Sequence, residues 1–245
     1  FGTSLHGFVF CFDYCQFGIS LYFMKSIEHI IFQFFSFRRA RKMINQRTDG
    51  RTDLESVQEQ RDTVLRQFHA AENPYLAYCA YLGKKYQSSL HAEEIHTLRY
   101  QIAQDYLRYE IDYKKDAEHV IKALKTAGYT LVIASTTRRN NMDIYRTENT
   151  RIKEKANMDE YFTRIYTRED AKEIKPNPEI YLRVLKELQV AAEECLIFED
   201  SLIGMEAAKH AGIAAVAVYD VYSDAEREQI GALADYQIDS YTELL

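Results

Sequence analysis

The stretch CLIFEDSLIGMEAAKHAGIAAVAV (195–218) decides the fold. Its first four residues are apolar and end abruptly in two carboxylates, Glu199 and Asp200, as a buried strand does on reaching the edge of a sheet. Residues 202–211 repeat apolar side chains at helical spacing and stop at Gly212, a residue suited to closing a helix. Residues 214–218 are again a short apolar run. Strand, helix and strand in 24 residues form a βαβ unit, and its two strands, apolar throughout, imply a parallel sheet covered on both faces.

Working outward, the same alternation continues. Residues 114–127 carry Ala117, Val120, Ile121 and Leu124 on one helical face and stop at Gly128, and YTLVIA (129–134) follows as a strand. Residues 178–190 form another amphipathic helix, with Ile180, Tyr181, Val184, Leu185 and Leu188 on one side and a proline near its start. EHIIFQFF (28–35) is a further short apolar run. Residues 38–110 are charged and helical in period, with Val64, Leu65 and Phe68 in one helix and Ile95, Leu98, Ile102 and Tyr106 striping another. The fold class expected is therefore α/β, a doubly wound, Rossmann-like parallel sheet, with 24–37 and 111–245 as its core and 38–110 as a helical subdomain inserted in it.

The first 23 residues stand apart. Ten of the thirteen Phe lie in 1–37, where Asp13, Lys25 and Glu28 are the only Asp, Glu, Lys or Arg. Met24 reads as an ordinary start, so 1–23 is expected to be an atypical aromatic-rich extension. Residues 5–23 are apolar enough to raise a membrane anchor, but no basic region precedes them, and a soluble chain is preferred.

Composition narrows the function classes. The chain has 245 residues, 31 Lys and Arg against 37 Asp and Glu, and a net charge of −6, which argues against a nucleic-acid grip built on a generally basic surface and points to small molecules. Four cysteines without a CxxC pair make no disulfide framework, so a reducing, cytoplasmic setting is expected. His91 and His96 are five apart, not the four of a zinc-binding helix, and read as surface residues.

In an open parallel sheet ligands bind beyond the carboxyl ends of the strands, and three loops there carry chemistry. After VIA, Ser135 and Thr136 offer hydroxyls and loose N–H groups to a phosphoryl oxygen; Thr137 or Asn140 as a helix cap is the plainer reading. Lys175 precedes the turn KPNP (175–178), where it could neutralise a phosphoryl group or simply be solvated. Glu199 and Asp200 could hold one hard cation, Mg²⁺, unless Asp200 or Ser201 only caps the helix.

Taken together and in this order, the loops resemble the haloacid dehalogenase superfamily of phosphatases and phosphomutases, near β-phosphoglucomutase and phosphoglycolate phosphatase. EDSLIGMEAAKHAG (199–212) meets that family's EDSxxGxxAAxxAG in full, and KPNP meets its KPxP. The resemblance covers 115–245, and more loosely 24–245. It implies that 38–110 is a helical cap, that Ser135 is the motif II hydroxyl, and that a small phosphorylated substrate is hydrolysed with Mg²⁺ as cofactor. It also requires a nucleophilic Asp after an apolar strand, with an acid–base Asp two residues later.

That pair is missing. After IEHIIF the two positions are Gln33 and Phe35, neither able to do the work; after GFVFCF they are Asp13 and Cys15. Asp13 lies 122 residues before Ser135 and Gln33 lies 102 before it, and the Gln33 register is preferred on that spacing. Two readings follow: a phosphatase whose catalytic groups are Ser135, Lys175 and Asp13, or a catalytically impaired relative that binds a phosphorylated ligand or partner without turnover. A phosphomutase needs the second Asp most.

Overall fold

The computed structural model describes residues 9–12, 67–68, 70–85 and 88–245. Val9–Phe12 (β1), Thr130–Ala134 (β2), Arg164–Tyr166 (β3), Cys195–Glu199 (β4), Ala214–Val218 (β5) and Tyr236–Ile238 (β6) form one sheet in the order β3-β2-β1-β4-β5-β6. Every pairing is parallel. The order reverses direction between β1 and β4, which places the loops after those two strands at the switch point of a doubly wound sheet, with the loop after β2 beside them. The expected α/β, Rossmann-like class is what the chain adopts.

The chain falls into two units, 1–20 with 107–245, and 21–106. Within the first, helices Ala117–Thr126 (α3), Arg139–Asp143 (α4), Thr150–Ala156 (α5), Met158–Tyr161 (α6), Glu179–Leu188 (α7), Leu202–Ala211 (α8) and Arg227–Leu233 (α9) connect the strands. Period-2 alternation sorts the strand side chains between faces. Val132, Ala134 and Ile197 share a buried cluster with Ile180, Tyr181 and Val184 of α7 and Met205, Ala207 and Ala208 of α8. On the alternate register Phe198 meets the ring of Tyr241, 5.9 Å between centroids. Burying side chains of this size stabilises the fold by about 1.5–3 kcal/mol each.

The helix ends follow their sequence signals. Gly128 (φ 89°) and Gly212 (φ 71°) close α3 and α8 in the left-handed region. α7 instead closes on Gln189, at φ 56°. Ahead of α3 the left-handed residue is Asp116 (φ 64°), whose carboxylate accepts a 2.5 Å hydrogen bond from Thr242 Oγ1. Asn149 caps α5 by accepting from the Ile152 N–H, and its own amide donates to the Leu107 and Ile111 carbonyls, so one buried side chain fastens two segments.

The 21–106 unit contributes Pro74–Lys85 (α1) and most of Ala92–Tyr109 (α2). Tyr78, Cys79, Leu82 and Ile95 are buried there, and a Cβ on Gly83 would come within 2.9 Å of Ile95 Cδ1, so the glycine lets the helices approach. The helix expected around Val64 and Leu65 lies outside the described residues. His91 and His96 are exposed. No helix among the described residues is long and apolar enough to cross a membrane.

The beginning of the chain departs from expectation. The strand anticipated at 28–35 lies outside the described residues, whereas Val9–Phe12, assigned above to an extension, is a strand paired on both edges, to β2 and to β4.

Candidate active site

β1 bears on which carboxylate position follows the central strand of the sheet. Phe12 is in register with Ile133 of β2 and with Phe198 of β4. One residue further along, those neighbours reach Ala134 and Glu199, and then Ser135 and Asp200. The strand between the two site-bearing strands thus leads in sequence to Asp13, whereas Gln33 and Phe35, the register preferred on spacing, lie outside the described residues. Chain-length spacing cannot identify a central strand, because inserts vary in length; hydrogen bonding along both edges can. The side chains of Asp13 and Gln33 lie outside the described residues.

Ser135 is fully buried at the end of β2. Its N–H donates to the Tyr166 carbonyl at 3.0 Å, continuing the β2–β3 ladder by one bond. Its hydroxyl donates to Thr137 Oγ1 (2.9 Å) and accepts from the Thr137 N–H (3.1 Å), a local turn that holds the oxygen at the sheet edge. Thr136 is half-buried between them. Neither Thr137 nor Asn140 caps α4, whose first flanking residue is Arg138 and makes no side-chain cap. The loop is braced from β3 by the Arg168 N–H, which donates to the Thr137 carbonyl at 2.8 Å.

Lys175 is not solvated. Its side chain is sealed, and its ammonium donates to the Ala134 carbonyl (3.1 Å), the Tyr181 hydroxyl (2.7 Å) and Glu199 Oε2 (3.3 Å). Tyr181 in turn donates to Glu199 Oε2 at 3.2 Å. Glu199 Oε1 accepts from the Asp200 and Ser201 N–H groups and from the Ser201 hydroxyl at 2.6 Å. A buried carboxylate satisfied at both oxygens therefore ties the end of β4 to that of β2 through one lysine. Gly204 makes room for it, since a Cβ there would overlap the Glu199 carboxyl group.

Ser201 performs the capping of α8, accepting from the Gly204 N–H at 3.2 Å. Asp200 is left for other work. It is 1% exposed, and its Oδ2 accepts from the Lys114 ammonium at 2.5 Å. Lys114 also reaches Asp220 Oδ2 at 2.7 Å, beyond the end of β5. Burial alone would lower the pKa of Lys114, but the two carboxylates outweigh it and hold the ammonium above the usual lysine range. Beside them Tyr241 is buried, its hydroxyl without a hydrogen-bond partner among the described residues; burial, then the negative charge of Asp200 and Glu199, push its pKa well up.

Ser135, Lys175, Glu199 and Asp200 thus meet at one edge of the sheet. Lys114, Tyr181 and Asp220 are not legible in the sequence as part of this site. Tyr181 sits on the apolar face of α7 and reads as core; nothing in the sequence links Lys114 to a carboxylate 86 residues away.

Residues 63–218 match the haloacid dehalogenase-like hydrolase family, well over half of the chain. Among curated relatives, phosphatase YhcW of Bacillus subtilis is 53% identical over 57 residues, 23% of this chain and 26% of that protein. The phosphorylated carbohydrates phosphatase of Thermotoga maritima is 48% identical over 56 residues, again 23% of this chain and 26% of that protein. The chain thus spans about a quarter of the length of each. Among solved structures, a CbbY mutant from Rhodobacter sphaeroides in complex with xylulose-(1,5)bisphosphate is similar in fold, with a TM-score of 0.64 and 22% identity, covering 97% of this chain and 96% of that one.

Proposed function

Given that the chain belongs to the haloacid dehalogenase-like hydrolase family, we propose that it is a Mg²⁺-assisted phosphatase acting on a small phosphorylated metabolite, a sugar phosphate or a close equivalent. The observation that carries this reading is the sealed Lys175 ammonium, fastened between the Ala134 carbonyl and Glu199 on the two strands that flank β1. A cation held by fixed acceptors at the mouth of the sheet needs no reorganisation when negative charge develops on a phosphoryl group. The names of the two curated relatives, each carrying the word phosphatase, and the xylulose bisphosphate bound to the CbbY mutant point the same way.

In this reading Asp13 attacks phosphorus, the bond from phosphorus to the leaving oxygen breaks, and that oxygen takes a proton from solvent. Water then attacks the aspartyl-phosphate, releasing inorganic phosphate and regenerating the carboxylate. The Ser135 hydroxyl, which can rotate away from Thr137, and Thr136 hold phosphoryl oxygens, while Lys175 neutralises them. Residues 38–110 serve in this reading as the family's cap and select the substrate.

The donor set fits Mg²⁺. Asp200 is a hard oxygen donor at the sheet edge, Glu199 beside it would join the ion only by exchanging one of its bonds from Lys175, Tyr181 or Ser201, and the buried Tyr241 hydroxyl suits a water retained by such an ion. Among the described residues no three acidic, His or Cys side chains converge to form a complete site, so Asp13 is the third ligand in this reading. When bound, the ion supplies charge neutralisation at the phosphoryl oxygens.

Cys15, two residues beyond Asp13, favours a second reading, a protein that binds a phosphorylated ligand without turning it over. The test is hydrolysis of p-nitrophenyl phosphate. Turnover that requires Mg²⁺ and disappears in Asp13→Asn and Asp200→Asn is the expected result. Absence of turnover in the wild type, with inorganic phosphate still binding in a Lys175-dependent way, establishes the second reading instead.

A further inference from the structure

We propose that Lys114 is a tethered counter-ion of the metal site: its ammonium occupies Asp200 in the ion-free protein and must leave before a divalent cation can bind. This side chain therefore sets the affinity for the ion. The proposal rests on the reading of Asp200 as a metal ligand.

Three observations support it. The Lys114 ammonium stands 2.5 Å from Asp200 Oδ2 and 2.7 Å from Asp220 Oδ2, with side-chain exposures of only 13%, 1% and 13% for the three residues. Two carboxylates brought together out of water repel each other unless a cation lies between them, and here the chain supplies its own. The backbone carrying Lys114 is also held in place. The Ala117 N–H donates to the Lys114 carbonyl at 3.0 Å, and Asp116, in the left-handed conformation, is fastened to Thr242.

An ammonium and a dication compete for the same carboxylate, because close approach of both restores the repulsion that each relieves. Asp220 gives the displaced ammonium a place to stay. Its Oδ2 stands 2.7 Å from the ammonium, and it lines one cleft with Asp200, Ser223 and Arg227. Loading the ion then requires only that Lys114 relinquish one of its two partners.

Isothermal titration of Mg²⁺ into the purified full chain tests this, with Mn²⁺ paramagnetic resonance as a second readout. Lys114→Met is expected to tighten binding about tenfold or more, and Lys114→Arg, which keeps the charge, to stay near the wild type. Unchanged or weaker binding in Lys114→Met, alongside wild-type binding that Asp200→Asn abolishes, overturns the inference and leaves the metal reading standing. Binding that Asp200→Asn does not affect, or no binding by any form, overturns the metal reading and the inference with it. Should Lys114→Met not fold, reductive methylation of the wild type followed by mass spectrometry decides. Faster modification of Lys114 with Mg²⁺ than without supports displacement, and an equal rate refutes it.

Discussion

The Lys175 ammonium stands 3.3 Å from Glu199 Oε2, and both side chains are closed to solvent. Such a pair is favourable only where further hydrogen bonds offset the loss of water, and here Ala134, Tyr181, Ser201 and the Asp200 N–H supply them. Removing one partner strands the other. Lys175→Met is expected to lower unfolding stability by about 3–5 kcal/mol, read as a lower denaturant midpoint at unchanged slope, and to abolish phosphatase activity. A loss under about 1 kcal/mol would show that the two charges do not depend on each other.

Gly204 is the second point of dependence. A methyl group there overlaps the Glu199 carboxyl group, which cannot retreat without giving up Lys175 or the Ser201 bonds. Gly204→Ala is expected to destabilise the protein by about 1–3 kcal/mol even though alanine is the better helix former. A melting temperature equal to or above the wild type would show that the carboxylate moves freely.

Much of this is legible in the sequence, and the exceptions share a cause. The strand at 195–199, the helix at 202–211 and the strand at 214–218 agree with their sequence reading residue for residue, because apolar runs bounded by Asp, Ser and Gly leave few alternatives. β3 leaves no such signal: Arg164–Tyr166 is three residues long at the sheet edge, with Arg164 exposed, too short for a period to register. β1 reads as an extension because its aromatic surroundings differ from the rest of the chain, whereas strand identity comes from the pairing partners on either side. The contact of Lys114 with Asp200 has no local signature, since chain folding alone brings the two together.

Asp170 gives an acid-side prediction. Burial would raise its pKa, but the Thr167 N–H and hydroxyl, with Arg139 and Arg183 nearby, hold it below the ordinary value of 3.8. Because the folded value is the lower one, Asp170 contributes stability above the ordinary range, and that contribution disappears as the pH falls through the depressed value. Asp170→Asn is therefore expected to destabilise the protein at pH 7 and to lose less on acidification than the wild type. Parallel stability curves for the two proteins between about pH 5 and pH 2 would count against it.

If Asp13 is the nucleophile, as proposed, the position two beyond it governs the rate. A carboxylic acid there would protonate the leaving oxygen and then take a proton from the attacking water, whereas a thiol, a weak hydrogen-bond donor and acceptor, serves poorly in both roles. The proposed phosphatase should thus be slow, and slowest on esters whose alcohols most need a proton. Cys15→Asp is expected to raise kcat on an alkyl phosphate by about 10²-fold and to change p-nitrophenyl phosphate hydrolysis far less, since nitrophenolate departs unaided. An equal gain on both substrates would mean that Asp at 15 acts through structure and not through proton transfer. No gain on either would place the acid–base group elsewhere in the chain.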